Sequence, residues 1–244
     1  MIKNRIHLQI LEKINNYQSK SDQKQLDWVK KYLGSNKKFH GLNTKEMGIL
    51  AKTTIKENNL NKKETVDLIN SLYKNGTSYT EISLAAAILS LSPKLLAKFN
   101  PKHLDNWLNY TCGWAENDVL CQSNFTNEIL LSNWQNWKII LKEFNKNSNI
   151  NKRRASLVLL VKSLQQSDDP RLSVLAFQNI ENLKPEKEIL ITKAVSWLLR
   201  ALVAFHKQEV LDYLAKNKET LPKIAYREAL SKAITGKKYN KIKK

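Results

Sequence analysis

The sequence predicts an all-α protein, an α-solenoid of about six helical repeats, and three observations lead to this fold class. Residues that break helices are rare, with six Gly and five Pro among 244 residues, roughly 4 to 5% where about 12% is usual. Helix-start signals are frequent, and the starts of helix pairs recur at a nearly constant interval. A β-rich fold would need more turn residues than this chain contains.

Helix starts are clearest in the first third of the chain. Four capping boxes occur there, in which a short polar residue and a Glu or Gln three positions later satisfy each other's backbone donors. They are Asp22-x-x-Gln25, Asn43-x-x-Glu46, Asn61-x-x-Glu64 and Ser78-x-x-Glu81. Later starts place proline at the first helical position, at Pro101, Pro170 and Pro222. Apolar residues spaced by three and four follow these starts, which predicts helices with one buried face.

The helix pairs recur along the chain. We expect them to begin near positions 43, 78, 114, 151, 187 and 222. The interval of about 36 residues is the length of two helices with their turns and is close to the period of HEAT-type units. Stacked units of this kind bury a continuous core and curve, so we expect a concave, basic face on which successive repeats align. The prediction is one HEAT-like repeat domain over residues 1–236 and a basic tail at 237–244.

The charge of the chain predicts an acidic partner. Forty-one Lys and Arg residues against 22 Asp and Glu give a net charge of +19, well above what solubility requires. The basic residues are spread over every segment. A helix that binds a membrane surface would instead gather them opposite large apolar residues, so this distribution argues against a membrane partner.

Metal sites, disulfides and export are not expected. Cys112 and Cys121 form no CxxC pair and have no neighbouring histidine at ligand spacing, and the four histidines share no common spacing. We therefore expect no metal and no cofactor. No run of about 18 apolar residues occurs, and the first residues lack the apolar region of a signal peptide. The expectation is a soluble, cytoplasmic protein that acts as a monomer.

The most unusual stretch is residues 151–160, where two arginines open an apolar helix. Arg153 and Arg154 are expected in its first turn, where the positive end of the helix dipole disfavours cations unless an anion is bound. Two other polar stretches carry tryptophan: Trp114-Ala-Glu-Asn-Asp118 and Ser196-Trp197-Leu-Leu-Arg200. We expect the three stretches to face one groove that holds a polyanion.

Four stretches together resemble the bacterial DNA alkylation repair glycosylases of the AlkD-like family, which are built from HEAT-like repeats. The resemblance covers most of the chain. The stretches are Tyr32-Leu-Gly-Ser-Asn-Lys-Lys-Phe39-His-Gly41-Leu, Trp114-x-x-x-Asp118, Arg153-Arg154-Ala, and Ala194-Val-Ser-Trp197-Leu-Leu-Arg200 followed by Tyr226-Arg227-Glu228-Ala229. The resemblance implies a monofunctional enzyme that acts on double-stranded DNA with alkylated bases. It also implies that the lesioned backbone is held without a pocket for the base.

The expected chemistry follows from residue types. Trp114 and Asp118 are four residues apart, on one helical face. A carboxylate there would stabilise the positive charge that develops on deoxyribose when a cationic alkylated purine, 3-methyladenine or 7-methylguanine, departs. Trp197 would add a cation–π contact, so the expected catalytic residues are Asp118, Trp114 and Trp197. The expected DNA contacts are Arg154, Arg153, Arg200, Lys37 and Lys38.

Other interpretations remain open from the sequence alone. Trp28, Trp107, Trp134 and Trp137 sit among apolar residues at helical spacing and are expected in the core. The same basic groove could belong to a catalytically silent paralogue that only binds DNA. A helical-repeat scaffold for an acidic partner is the third possibility.

Overall fold

The structure, a computed structural model, describes residues 3–18 and 23–239 and is all-helical over them. The described residues contain fifteen helices and no β-strand, only an isolated bridge between Lys38 and Ser78. None of these helices combines the length and the apolar character needed to cross a membrane. The predicted all-α class is confirmed. Residues 240–244 of the predicted tail, and Asp22 of the first predicted capping box, lie outside the described residues.

The chain divides into two compact units, Met1–Asn124 and Phe125–Lys244. In the first unit, α5 packs against α3, α4 and α8, and α1 packs against α3 and α4. Its helices are α1 (Arg5–Gln18), α2 (Gln23–Leu33), α3 (Thr44–Asn58), α4 (Lys62–Asn75), α5 (Tyr79–Ser90), α6 (Pro93–Leu96), α7 (Lys102–Trp107) and α8 (Gly113–Cys121). Because α5 consists mainly of small and apolar residues and is buried on most sides, it can contact several helices at once.

In the second unit, alternate helices pack side by side. Helix α13 lies between α11 and α15, while α10, α12 and α14 pack beside this row. The helices are α9 (Asn127–Ser132), α10 (Trp134–Asn145), α11 (Ile150–Leu164), α12 (Pro170–Leu183), α13 (Ile189–Leu202), α14 (Lys207–Lys216) and α15 (Lys223–Thr235). This is the repeat-like stacking of helix pairs that the period of about 36 residues predicts.

Three of the predicted capping boxes are present with both hydrogen bonds. They start α3 at Asn43 and Glu46, α4 at Asn61 and Glu64, and α5 at Ser78 and Glu81. Glu81 is 1% exposed and also lies 2.8 Å from Nε2 of His7, whose Nδ1 is 2.9 Å from Oγ of Ser71. This buried polar cluster therefore fastens α1 to α4 and α5.

The prediction for the tryptophans is only partly right. Trp107 and Trp137 are fully buried, and Trp134 is half-buried. The expectation of a core Trp28 is wrong, because its side chain is 63% exposed. Leu26 of α2 is in the core, and a residue two positions later points about 200° around the helix, away from the core.

Candidate functional site

The first unit places the predicted Trp114 and Asp118 on α8, whose start lies against the loop after α2. Gly113 begins α8 with a φ of +70°, and Gly34 has a φ of +68°. A Cβ built on Gly113 would lie 2.1 Å from the carbonyl oxygen of Gly34. Glycine at position 113 therefore permits both the positive φ and this close approach of two backbones.

Trp114 belongs to a row of three aromatic side chains, Trp28, Tyr32 and Trp114, which we call the aromatic ladder. The indole Nε1 of Trp114 donates to the carbonyl oxygen of Tyr32 at 2.8 Å. The ring centroids of Tyr32 and Trp114 are 5.4 Å apart at 85°, and those of Trp28 and Tyr32 are 5.6 Å apart at 3°. Trp28 and Tyr32 are 63% and 60% exposed. The ladder thus presents aromatic surface while fixing the indole of Trp114.

Asp118 lies one turn after Trp114, on the same face of α8. Asp118 is 9% exposed, and Trp114 is partly exposed. The carboxylate therefore sits in a mostly dehydrated environment beside an accessible indole. In such an environment a fixed negative charge acts on a nearby positive charge more strongly than it would in water.

The second acidic residue of α8, Glu116, is fully buried and has a structural role. Its Oε1 accepts from the Ser35 hydroxyl at 2.5 Å, and its Oε2 accepts from the Cys112 backbone N–H at 2.7 Å. The Lys37 ammonium donates to the same Oε2 at 2.5 Å and to the carbonyl oxygen of Tyr110 at 2.7 Å. These bonds fasten the loop after α2 to the start of α8.

This arrangement distinguishes the two adjacent lysines that the sequence analysis selected as DNA contacts. Lys37 is 18% exposed at its side chain, and its ammonium faces Glu116, so the geometry favours an internal role for it. The side chain of Lys38 is exposed, while its carbonyl oxygen accepts from the Tyr79 N–H at 2.8 Å. Of the pair, Lys38 is the one presented to a solvent-borne partner.

In the second unit, Arg153 and Arg154 lie in the first turns of α11, as predicted. Nη1 of Arg153 donates to the carbonyl oxygens of Asn147 and Ser148 at 2.8 and 2.7 Å, and its Nε lies 2.8 Å from Oε1 of Glu186. Arg154 is 4% exposed, and its guanidinium donates to the carbonyl oxygen of Leu190 in α13. The contacts of both arginines build the second unit, which favours a structural role over a phosphate contact.

Trp197 and Arg200 lie on α13, where Trp197 is half-buried. Nε of Arg200 lies 3.6 Å from Oε2 of Glu228, a carboxylate that is 3% exposed. The hydroxyl of Ser196 donates to the same oxygen at 2.6 Å. Burial lowers the pKa of Arg200, and Glu228 opposes this effect.

Arg200 also lines a pocket of about 360 Å³ with Lys207 and Lys232. Three cationic side chains around one depression favour an anion such as a phosphate group. Of the arginines predicted to contact DNA, Arg200 is therefore the one with a suitable surface around it.

Within each unit, the structure brings some of the predicted residues together. The first unit joins Trp114, Asp118 and Lys37 around α8, and the second joins Arg154 to α13. The shared groove of all three stretches stays a prediction. Sequence reasoning missed the structural role of Glu116 and the exposed faces of Trp28 and Tyr32. Tyr32 could have been selected from the sequence, because it is the first residue of the first stretch that resembles the family.

Comparisons with known proteins find a protein family whose sequence model matches this chain. A sequence model of the family described as DNA alkylation repair enzyme matches residues 14–233. Among solved structures, the chain resembles "Predicted DNA alkylation repair enzyme from Enterococcus faecalis" with a TM-score of 0.71 and 18% sequence identity. That alignment covers 88% of this chain and 97% of the other, and at this identity it shows the fold alone. No curated protein sequence matches the chain.

Proposed function

Because the chain belongs to the family of DNA alkylation repair enzymes, we propose that it is a monofunctional DNA glycosylase. Its substrates would be cationic alkylated purines, 3-methyladenine and 7-methylguanine, in duplex DNA, and it would hydrolyse their N-glycosidic bond. The observation that carries this proposal is the pair on α8: a mostly buried carboxylate, Asp118, one turn from the partly exposed indole of Trp114.

Asp118 supplies the catalytic charge in this mechanism. As the base departs, positive charge develops on the deoxyribose, and a carboxylate fixed beside it stabilises the transition state more than the ground state. At about 4 Å and an effective dielectric constant near 20, the attraction is roughly 4 kcal/mol. This corresponds to about a thousandfold in rate. Such a factor suffices for a leaving group that is already activated by its positive charge, which is why the proposal specifies cationic bases.

The aromatic and cationic residues hold the substrate. The indole of Trp114 would attract the positive charge of the lesion, by about 0.5 to 2 kcal/mol. Arg200, with Lys207 and Lys232, and the exposed Lys38 would contact phosphates. Lys37, Arg153 and Arg154 contribute indirectly in this account, because their contacts within each unit hold α8 and α11 in place.

The proposal is tested by the bases that the protein releases from methylated duplex DNA. We expect the wild-type protein to release 3-methyladenine and 7-methylguanine above the spontaneous rate, and to release no normal base. Binding of duplex DNA without any such release would instead identify a catalytically silent DNA-binding protein.

A salt titration of DNA binding distinguishes the glycosylase proposal from the alternative of a scaffold for an acidic protein partner. Contacts to several phosphates predict that the logarithm of DNA affinity falls steeply and linearly with the logarithm of salt concentration. A protein that fails to bind duplex DNA even at low salt would fit a scaffold for an acidic protein partner, and the glycosylase proposal would be wrong.

A further inference from the structure

The last described residues of the chain, 237–239, follow α15 and turn back along it, and we call them the C-terminal strap. Gly236 ends α15 with a φ of +73°, a left-handed conformation that reverses the chain and that glycine adopts at little cost. The carbonyl oxygen of Lys237 then accepts a hydrogen bond from the hydroxyl of Ser231 at 2.9 Å. This bond holds the strap against the last turns of the helix.

Both side chains at the end of the strap contact the buried carboxylate of Glu228. The hydroxyl of Tyr239 donates to its Oε1 at 3.1 Å, and the ammonium of Lys238 lies 3.5 Å from the same oxygen. The Lys238 ammonium also lies 4.7 Å from the centroid of the Tyr239 ring, a cation–π contact that keeps the two side chains together. The strap therefore supplies a hydrogen bond and a positive charge to one oxygen of Glu228.

The other oxygen of Glu228 faces Arg200 of the basic pocket. Oε2 accepts from the hydroxyl of Ser196 at 2.6 Å and lies 3.6 Å from Nε of Arg200. Nε of Arg200 also donates to Oγ of Ser196 at 3.4 Å. In the part of the chain that the structure describes, no residue accepts a hydrogen bond from Nη1 or Nη2 of Arg200. The donors on these two nitrogens are left for a ligand, and a phosphate suits their planar arrangement.

Glu228 has two opposite effects on Arg200. It orients the guanidinium through Nε, but its negative charge also weakens the attraction between that guanidinium and a phosphate. A carboxylate and one cation would together be neutral. With Lys238 at the other carboxylate oxygen, the cluster contains one negative and two positive charges and stays net positive. The strap thus restores the charge that Glu228 would otherwise cancel.

From these contacts we propose that Lys238 and Tyr239 are positioning residues for phosphate binding. By bonding Glu228, they let this carboxylate orient Arg200 without neutralising it, so that the guanidinium binds a phosphate of the DNA backbone. Neither residue of the strap is among those that line the pocket of Arg200, so the strap acts through Glu228 and not by contacting the phosphate. The inference rests on the proposed function, in which Arg200 contacts DNA, and deepens it.

The test asks whether the strap affects DNA binding through Glu228. The affinity for a fluorescein-labelled, unmodified DNA duplex is measured by anisotropy at one salt concentration for Lys238→Met, Lys238→Arg and Tyr239→Phe. Lys237→Met is the matched control, because it removes the same charge from the exposed neighbouring residue. Lys238→Met and Lys237→Met are then repeated in the Glu228→Gln protein. Thermal melts establish that each variant is folded at the assay temperature.

We expect Lys238→Met to lower the affinity by about fivefold and Lys237→Met by less than about twofold, because only Lys238 balances Glu228. Tyr239→Phe should lower it by about twofold, since one hydrogen bond to the carboxylate is lost. Lys238→Arg should keep the wild-type affinity, because the arginine restores the charge. In the Glu228→Gln protein the effect of Lys238→Met should shrink to that of Lys237→Met, since no carboxylate remains to be balanced.

The inference is wrong if Lys238→Met weakens binding equally with and without Glu228, which would indicate that Lys238 contacts DNA directly. It is also wrong if Lys238→Met and Lys237→Met have equal effects in the otherwise unchanged protein, and this comparison does not require Glu228→Gln to fold. The affinity measurement is independent of base release. A protein that shows the expected pattern and releases no 7-methylguanine would keep this inference and refute the glycosylase proposal, and release without the pattern would do the reverse.

Discussion

Helix α8 in the first unit and helix α11 in the second both bury charged side chains, but of opposite sign. Helix α8 buries Glu116 and Asp118, and α11 buries Lys152 and Arg154. Burying a charge costs several kcal/mol unless partners compensate it. The partners that can be named for each helix show how these buried charges are compensated.

The partners point to different roles. On α11, Arg154 donates to the carbonyl oxygen of Leu190, which links two neighbouring helices of the row. On α8, Glu116 is satisfied by the Ser35 hydroxyl, the Lys37 ammonium and a backbone N–H. Asp118 lies on the same face of α8 as Trp114, whose ring contacts Tyr32 of the aromatic ladder. Buried charge alone does not mark a catalytic residue, and in the proposed mechanism it is the partly exposed indole of Trp114 that distinguishes Asp118 from Glu116.

The largest effect on stability is expected at Glu116. Glu116→Gln leaves the half-buried Lys37 ammonium without its carboxylate and should lower the free energy of unfolding by about 3 kcal/mol. For a chain of this length this corresponds to roughly 6 to 12 °C in Tm. Glu57→Gln is the matched control, because Glu57 pairs with Lys13 at 2.7 Å on the surface, and its loss should cost less than about 1 kcal/mol. Equal losses in thermal melts of the two variants would contradict the internal role of Glu116.

The substitution Arg154→Met tests whether Arg154 on α11 stabilises the fold or contacts DNA. The methionine keeps the apolar stem and removes a charged donor from the carbonyl oxygen of Leu190, which should cost about 2 kcal/mol of stability. The number of phosphates contacted, measured as the slope of log DNA affinity against log salt, should stay unchanged. A normal Tm together with a reduced slope would show that Arg154 contacts DNA and does not stabilise the fold.

The carboxylate of Glu228 predicts a pH dependence. Burial opposes its ionisation, but hydrogen bonds from Ser196 and Tyr239 and the charges of Lys238 and Arg200 outweigh burial and hold the pKa of Glu228 below its usual 4.5. A carboxyl with a lowered pKa stabilises the fold fully above the unfolded value and loses this contribution as pH falls through the folded value. Stability should therefore decline below about pH 4.5, and urea melts of Glu228→Gln should decline less steeply. If the stability of the variant fell with decreasing pH as steeply as that of the wild type, the ionisation of Glu228 would not be the cause of the decline.

The smallest expected effect on the fold is at Lys38. Lys38→Met should leave the free energy of unfolding within about 0.5 kcal/mol of the wild type, because the side chain is exposed. The salt slope of DNA binding should fall by about 1. The neighbouring Lys37→Met should do the reverse, lowering stability while leaving the slope in place. The proposed division of labour between the two lysines fails if their effects are interchanged.

Local patterns in the sequence were enough to predict the helices and their stacking. A capping box joins residues three positions apart, so the boxes at Asn43, Asn61 and Ser78 can be recognised without knowing the fold. The period of helix pairs predicts the repeat-like packing in the same way. The spacing of four residues between Trp114 and Asp118 predicted that both lie on one helix, and α8 contains both.

Long-range partners could not be predicted in this way. Nothing near Lys37 in the sequence shows that Glu116 will lie 2.5 Å from its ammonium, since the two are 79 positions apart. Tryptophan is a residue type that is common in protein cores, yet the exposure of Trp28 depends on which face of α2 packs against the rest of the unit. Leu26 lies on the packed face.

The most direct test of the central claim is the single-turnover release of 7-methylguanine from duplex DNA by Asp118→Asn. Asp67→Asn, which removes one negative charge from an exposed position on α4, serves as the control. We predict that Asp118→Asn lowers the rate by about 10² to 10³ while DNA affinity is retained, and that Asp67→Asn keeps the wild-type rate. Release by Asp118→Asn at the wild-type rate would show that the carboxylate on α8 does not perform the chemistry.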